Sequence, residues 1–191
     1  MNVLLVHGFL NTGSFFRHLQ ARLESAGHQC FAPTLHPRDG RHGIADLANK
    51  LADYVDEELP PAASFALVGF SMGCVISQCY LQSERGAPRV RAFFAISGPM
   101  RGTLTAWLYP GKGTRDMRPG SDFLRELESR ADSRFNIPVY TYSTPLDLII
   151  IPFTSSRIVN ARELRVWSPL HICMLTNRKV AAHIQEKLCA L

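Results

Sequence analysis

Residues 65–73 read FALVGFSMG, an apolar run from Phe65 to Val68 and then a serine, Ser71, set between Gly69 and Gly73. Serine is a poor nucleophile at neutral pH until an adjacent base activates it, so the rest of the chain decides whether this is a bare turn or a reactive one. The pattern by itself decides little. With Gly and Ser each near 7% of residues, a chain of this length meets G-x-S-x-G by chance with a probability of roughly 0.06.

Outward from this stretch, strand-length apolar runs alternate with segments of helical period. Val3–Val6 is a short apolar run, after which Phe15, Leu19, Leu23 and Ala26 recur at helical spacing up to Gly27. Gln29–Pro33 reads as a second strand. Ile44, Leu47, Leu51, Tyr54 and Val55 mark a helix that Pro60-Pro61 stops. Phe65–Val68 is the third strand, and Val75, Ile76, Cys79 and Tyr80 lie on one face of the helix after Ser71. Further strands are predicted at Val90–Ile96, Ile137–Tyr142 and Leu164–Trp167. Continuous apolar strands separated by helices predict an α/β class, a doubly wound parallel sheet covered on both faces.

Gly98–Gly120 carries three prolines and no long periodic stretch, so it is expected to be a lid-like loop over one end of the sheet. Ser121 is placed to cap a short helix running to Arg130. With 191 residues, 46% hydrophobic and 19% charged, the sequence fits one domain over 1–191, without disordered or low-complexity tracts.

No apolar stretch approaches the roughly 20 residues of a spanning helix. The N-terminus reads as a strand rather than a signal peptide, so a cytoplasmic location is expected, or secretion if a leader precedes this numbering. Five cysteines, an odd number, show no C-x-x-C pair and no metal-ligand spacing. Reduced, mostly buried thiols are expected, with neither metal nor cofactor. Cys74, one turn beyond Ser71, is a rival nucleophile.

The net charge of +5 is uneven. Residues 157–187 hold six basic groups, Arg157, Arg162, Arg165, Arg178, Lys179 and Lys187, against two acids, Glu163 and Glu186. Peripheral contact with an anionic membrane surface fits that excess. Nucleic acid is not expected, since no aromatic residues interleave with the basic ones.

In a parallel sheet, ligands bind beyond the carboxyl ends of the strands, and the residues leaving those ends carry the chemistry. Gly69 and Gly73 permit a sharp turn that exposes Ser71. Of seven histidines, His171 alone follows the last predicted strand in a loop, Trp167-Ser168-Pro169-Leu170-His171, which makes it the candidate base. Asp147 follows the fifth strand among apolar neighbours, where a carboxylate is costly unless paired. His171 is its natural partner, and Asp116 and Asp122 are rivals. The turn His7-Gly8-Phe9-Leu10 can aim the Phe9 N–H at the point the Met72 N–H faces, giving two donors for an oxyanion. His7 is expected to support that turn.

The order Ser, Asp, His, with "VLLVHGF", "LVGFSMG", "MRPGSDFLRELE", "YSTPLDLIIIPFTSS" and "SPLHICML" in sequence, resembles a compact α/β-hydrolase of the bacterial lipase and esterase type. The resemblance implies a minimal sheet of about six strands and a serine hydrolase that cleaves small-molecule or lipid esters with an apolar acyl part. It departs at Phe70, where such lipases commonly have histidine, and at Leu170, where they have glycine. Both adjoin the substrate pocket, to which Trp107 and Leu108 are also assigned. A thioesterase or acyltransferase would use the same machinery, and a non-catalytic binding protein could retain the fold.

Overall fold

Along the first strand, Leu4 and Val6 face one way and Val3 and Leu5 the other, and all four are fully buried. A strand buried on both faces has to lie inside a layered sheet. The computed structural model describes residues 1–86, 88–130 and 137–191. Its strands are β1 (Asn2–Val6), β2 (Gln29–Phe31), β3 (Phe65–Phe70), β4 (Val90–Ile96), β5 (Val139–Ser143) and β6 (Arg162–Arg165). They form one parallel sheet in the order β2-β1-β3-β4-β5-β6.

The helices are α1 (Arg17–Ser25), α2 (Ile44–Glu58), α3 (Met72–Leu81), α4 (Lys112–Asp116), α5 (Asp122–Ser129) and α6 (Arg178–Cys189). Apolar residues of α2, α3 and α5 pack with Leu4, Val6, Leu67 and Phe93 on one face. Those of α1 and α6 pack with Val3, Leu5, Val68 and Phe94 on the other. The doubly wound α/β class is thus present, the side chains of β1, β3 and β4 alternating between the two covered faces. Ser121 caps α5 as expected, its hydroxyl accepting from the Leu124 N–H at 3.2 Å.

Several boundaries differ from the sequence reading. The sixth strand lies two residues earlier, at Arg162–Arg165 rather than Leu164–Trp167. It is an edge strand with one neighbour and is largely exposed, so its residues carry charge and leave no apolar signature. Gly98–Gly120 is not wholly irregular: it contains a 3-10 turn at Leu104–Trp107 and the short helix α4. Among the cysteines only Cys74 is fully buried. Cys30, Cys79 and Cys173 are half-buried, Cys189 is exposed, and all five are free. In the basic last third, Glu163 pairs with Arg157 and Arg165, and Glu186 with Lys187, while Arg178 and Lys179 are exposed at the start of α6. Among the described residues no helix is long and apolar enough to cross a membrane.

The chain runs outward from β1 to β2, then returns to place β3 on β1's other side. This reversal opens a crevice between the carboxyl ends of β1 and β3. His7 holds one lip of it. It is fully buried, with Nε2 accepting from the Leu35 N–H at 2.8 Å and Nδ1 therefore donating to the Gly8 carbonyl at 2.8 Å.

Burial lowers the His7 pKa below 6.5, outweighing both backbone hydrogen bonds. The neutral ring's contribution to stability is thus complete above pH 6.5 and is lost as pH falls through the folded value. Urea midpoints should fall between about pH 7 and about pH 5, and His7→Gln should remove part of that slope. His28 and His183 are shifted the same way and add to the slope in the same direction. A slope that His7→Gln leaves unchanged would show that His7 is not a neutral clip.

Candidate active site

Ser71 follows β3 directly and precedes the first residue of α3, with φ 54° and ψ −125°. Such a left-handed backbone is strained for any residue but glycine and persists only where the surroundings enforce it. The flanking glycines show what enforces it. A Cβ on Gly73 would lie 2.0 Å from the Val6 carbonyl oxygen, and one on Gly69 would lie 2.7 Å from the Cys74 Cα. Strand and helix meet too closely for side chains at either position, and the turn between them is forced outward. The Ser71 N–H is anchored to the Ile96 carbonyl at 2.9 Å.

The turn after β1 lies against this serine, since a Cβ on Gly8 would sit 2.9 Å from the Ser71 Cβ. Phe9 and Met72 both line the cavity with Ser71. Met72 opens α3, so its N–H lies in the first turn, where helix geometry supplies no intrahelical acceptor.

Asp147 sits in the loop after β5, and His171 opens a 3-10 turn after β6. Thr144 ties the two loops together: its hydroxyl donates to the Ser168 carbonyl at 3.0 Å and accepts from the Ser168 N–H at 3.1 Å. Asp147 Oδ2 then accepts from His171 Nδ1 at 2.8 Å, while Oδ1 accepts from the Ile149 and Ile150 amides at 2.9 Å each. Burial pushes the Asp147 carboxyl up, but the His171 hydrogen bond and charge, together with the two amides, outweigh it and hold the pKa below the usual value. The Asp116 and Asp122 rivals are occupied elsewhere. Asp116 accepts from the Ile44 N–H at 2.9 Å, and Asp122 pairs with Arg125.

With Nδ1 donating, the neutral imidazole offers Nε2 as an acceptor. That nitrogen is buried and has no hydrogen-bond partner among the described residues. No hydrogen bond joins it to Ser71, but both side chains line one cavity of about 670 Å³. Phe70 packs against the imidazole, the two rings tilted by 33° with centroids 4.8 Å apart. Cys74, the rival nucleophile, is buried beneath the turn with its thiol on the Ile96 carbonyl, and burial pushes its pKa up, away from the thiolate.

Phe70, Leu108 and Leu170 line the cavity, whereas Trp107, assigned to the same wall, does not. The 3-10 turn at Leu104–Trp107 sends its indole outward, 60% exposed, where the Arg118 guanidinium covers it at 4.0 Å. Met100, in the same segment, joins the core. Leu148, Ile149 and Tyr109 also stand in the cavity wall. Among the described residues no group of three His, Cys, Asp or Glu side chains is arranged to hold a metal.

Residues 3–174 match the alpha/beta hydrolase family. The chain belongs to that family. Lipase B of Aspergillus fumigatus superposes with a TM-score of 0.83 at 17% identity, over 98% of this chain and 52% of that one. This alpha/beta hydrolase thus spans about half the length of the fungal lipase. The mature form of the Bacillus licheniformis lipase BlEst2 gives 0.75 at 16% identity, over 98% of this chain and 91% of that one. A lipase-esterase related protein of Clostridium acetobutylicum gives 0.71 at 15% identity, over 99% and 93%. No curated protein matches the sequence. At these identities the likeness establishes the fold. Membership of the family, with neighbours of lipase and esterase type, supports a hydrolase.

Because Gly73 admits no side chain against Val6, Gly73→Ala should destabilise the hydrolase by about 2 kcal/mol or more. The decrease would be read as a lower urea midpoint. An unchanged midpoint would mean that β1 and α3 can separate without cost.

Proposed function

We propose that the chain is a serine hydrolase of carboxylic esters with an apolar acyl part. The observation that carries this reading is the buried Asp147–His171 hydrogen bond, which leaves His171 Nε2 without a protein partner in a side chain that shares the cavity of Ser71. In this reading Ser71 Oγ attacks the ester carbonyl while His171 Nε2 takes its proton. The Phe9 and Met72 N–H groups hold the resulting oxyanion. Collapse of the tetrahedral adduct breaks the C–O bond to the alcohol, which leaves with the proton from His171. Water then gives a proton to Nε2 as its oxygen attacks the acyl group, and collapse of this second adduct breaks the bond to Ser71 Oγ, which takes the proton back from His171 as the acid leaves. Asp147 stays ionised throughout, orienting the ring and stabilising the imidazolium.

A fluorophosphonate probe should label the wild-type protein and fail on Ser71→Ala. Folded wild-type protein that takes no label would favour the non-catalytic reading. Asp147→Asn should retain the fold and lower kcat by about 10⁴, the scale on which loss of the orienting carboxylate acts. Near-normal turnover would remove Asp147 from the reaction.

The lining argues for the acyl class. Ala106, Met117 and Ile150 are buried at the cavity's inner surface, and Leu108, Leu148 and Leu170 are exposed toward its outer part. Each methylene buried there contributes at most about 0.8 kcal/mol, about fourfold in transition-state binding. Across p-nitrophenyl esters, kcat/KM should rise from acetate to a medium chain and then fall. Tyr109→Ala should flatten that rise, and Trp107→Ala, which alters a side chain outside the cavity, should leave it intact. A flat wild-type profile, or one that Trp107→Ala flattens, would overturn this assignment.

A further inference from the structure

Asp147 Oδ1 depends on two peptide groups of its own loop, and one of them is gripped from the far side. The peptide joining Ile149 to Ile150 is a rigid plane whose C=O and N–H point in opposite directions. Its N–H donates to Asp147 Oδ1 at 2.9 Å. Its C=O accepts two hydroxyls from the 98–120 segment, Thr103 Oγ1 at 2.6 Å and Thr105 Oγ1 at 2.7 Å. Thr103 Oγ1 also accepts from the Ile151 N–H at 2.9 Å, so one buried hydroxyl, 5% exposed, bridges two successive peptide groups of the acid loop. The Leu104 N–H adds a bond to the Ile151 carbonyl at 2.9 Å.

We infer that Thr103 is a positioning residue for the acid: through the Ile149–Ile150 peptide it fixes and polarises the amide that holds Asp147 Oδ1, and so aims Oδ2 at His171. Two physical effects act along this path. A plane held at its oxygen by two donors loses the rotation that would swing its N–H off the carboxylate. An amide whose carbonyl accepts is also a stronger donor, because linked hydrogen bonds polarise one another. Thr103 and Thr105 line the same cavity as Ser71, so the wall of the substrate cavity and the support of the acid are one structural unit. Nothing in the spacing of Thr103-Leu104-Thr105 marks this role, since both partners are backbone atoms more than forty residues away.

The inference rests on the hydrolase reading, and its test separates the two. Thr103→Val removes the hydroxyl at nearly constant volume, and Thr103→Ser keeps it. For p-nitrophenyl acetate, Thr103→Val should lower kcat about tenfold, as loss of a buried hydrogen bond to the acid loop implies, with KM changed less than about twofold. Thr103→Ser should recover most of that loss.

In the Asp147→Asn background the Thr103→Val cost should disappear, because a residue acting through the carboxylate has nothing left to orient. An equal cost in both backgrounds, or an unchanged kcat in Thr103→Val, would overturn the inference. A second readout needs no turnover: the downfield proton resonance of the His171 Nδ1–H, identified by its loss in Asp147→Asn, should move upfield or broaden in Thr103→Val and return in Thr103→Ser. A resonance indifferent to Thr103→Val would likewise overturn it. Should Thr103→Val fail to fold, Thr105→Val, which removes one of the two donors to the same carbonyl, should show a smaller change in the same direction, and no change would count against the inference. Failure of the fluorophosphonate probe on wild-type protein would overturn the hydrolase reading instead, and the resonance would still report the grip of Thr103 on the acid.

Discussion

The approach of Gly73 to the end of β1 is the constraint on which the rest of the site depends. With 2.0 Å between the Val6 carbonyl oxygen and the place a Cβ would occupy, the N-terminus of α3 lies directly on the first strand. That contact leaves Ser71 no room for a relaxed turn. It also brings the turn after β1 against the serine, and opens the N-terminus of α3 at the crevice where the strand order reverses. Strain at one residue is sustained because two layers of apolar side chains hold β1 and β3 on both faces, one of them packing α3 against the sheet.

Beyond that contact the carboxyl-end loops are joined mostly by side chains bonded to backbone. His7 fastens the β1 turn to Leu35, Thr144 fastens the acid loop to the histidine loop, and Thr103 fastens the cavity wall to the acid loop. Each of these side chains is buried, where an unpaired polar group is costly, so each bond resists opening more than it would on the surface. Neutral His7, with desolvation outweighing its hydrogen bonds, and ionised Asp147, with its hydrogen bonds outweighing desolvation, show the same balance resolved in opposite directions.

What the sequence made legible follows from this division. The inner strands β1 and β3 are buried on both faces and read as apolar runs, as does β4 after the exposed Arg91, and β4 begins and ends where the pattern places it. The shared location of Ser71, Asp147 and His171 was legible because each follows a strand at the same end of the sheet, and the structure brings Asp147 and His171 into hydrogen-bond contact. The edge strand β6 was displaced in the reading because exposure frees its residues from the apolar pattern. Trp107 was misplaced because loop aromatics report no direction: a 3-10 turn and a stacked arginine satisfied it on the outside. Thr103 and Thr105 were missed because their partners are main-chain groups, which no residue type advertises.

The two departures from the lipase pattern bear on how the imidazole is held. Phe70 presents a ring face 4.8 Å from His171 at a tilt of 33°, and Asp147 takes the Nδ1–H at the ring's edge. A hydrogen bond restrains an imidazole in its plane but resists rotation about the donor axis weakly, whereas a packed ring face opposes that rotation through many small dispersion contacts. A histidine at position 70 would supply a polar ring with its own need for partners in an apolar cavity. Phenylalanine supplies the restraint without that need. Leu170, which stands half-exposed beside the base, extends the same apolar surface to the cavity mouth. The position of the His171 ring is therefore fixed by one polar contact and one apolar contact of independent origin, and the apolar one is part of the cavity wall.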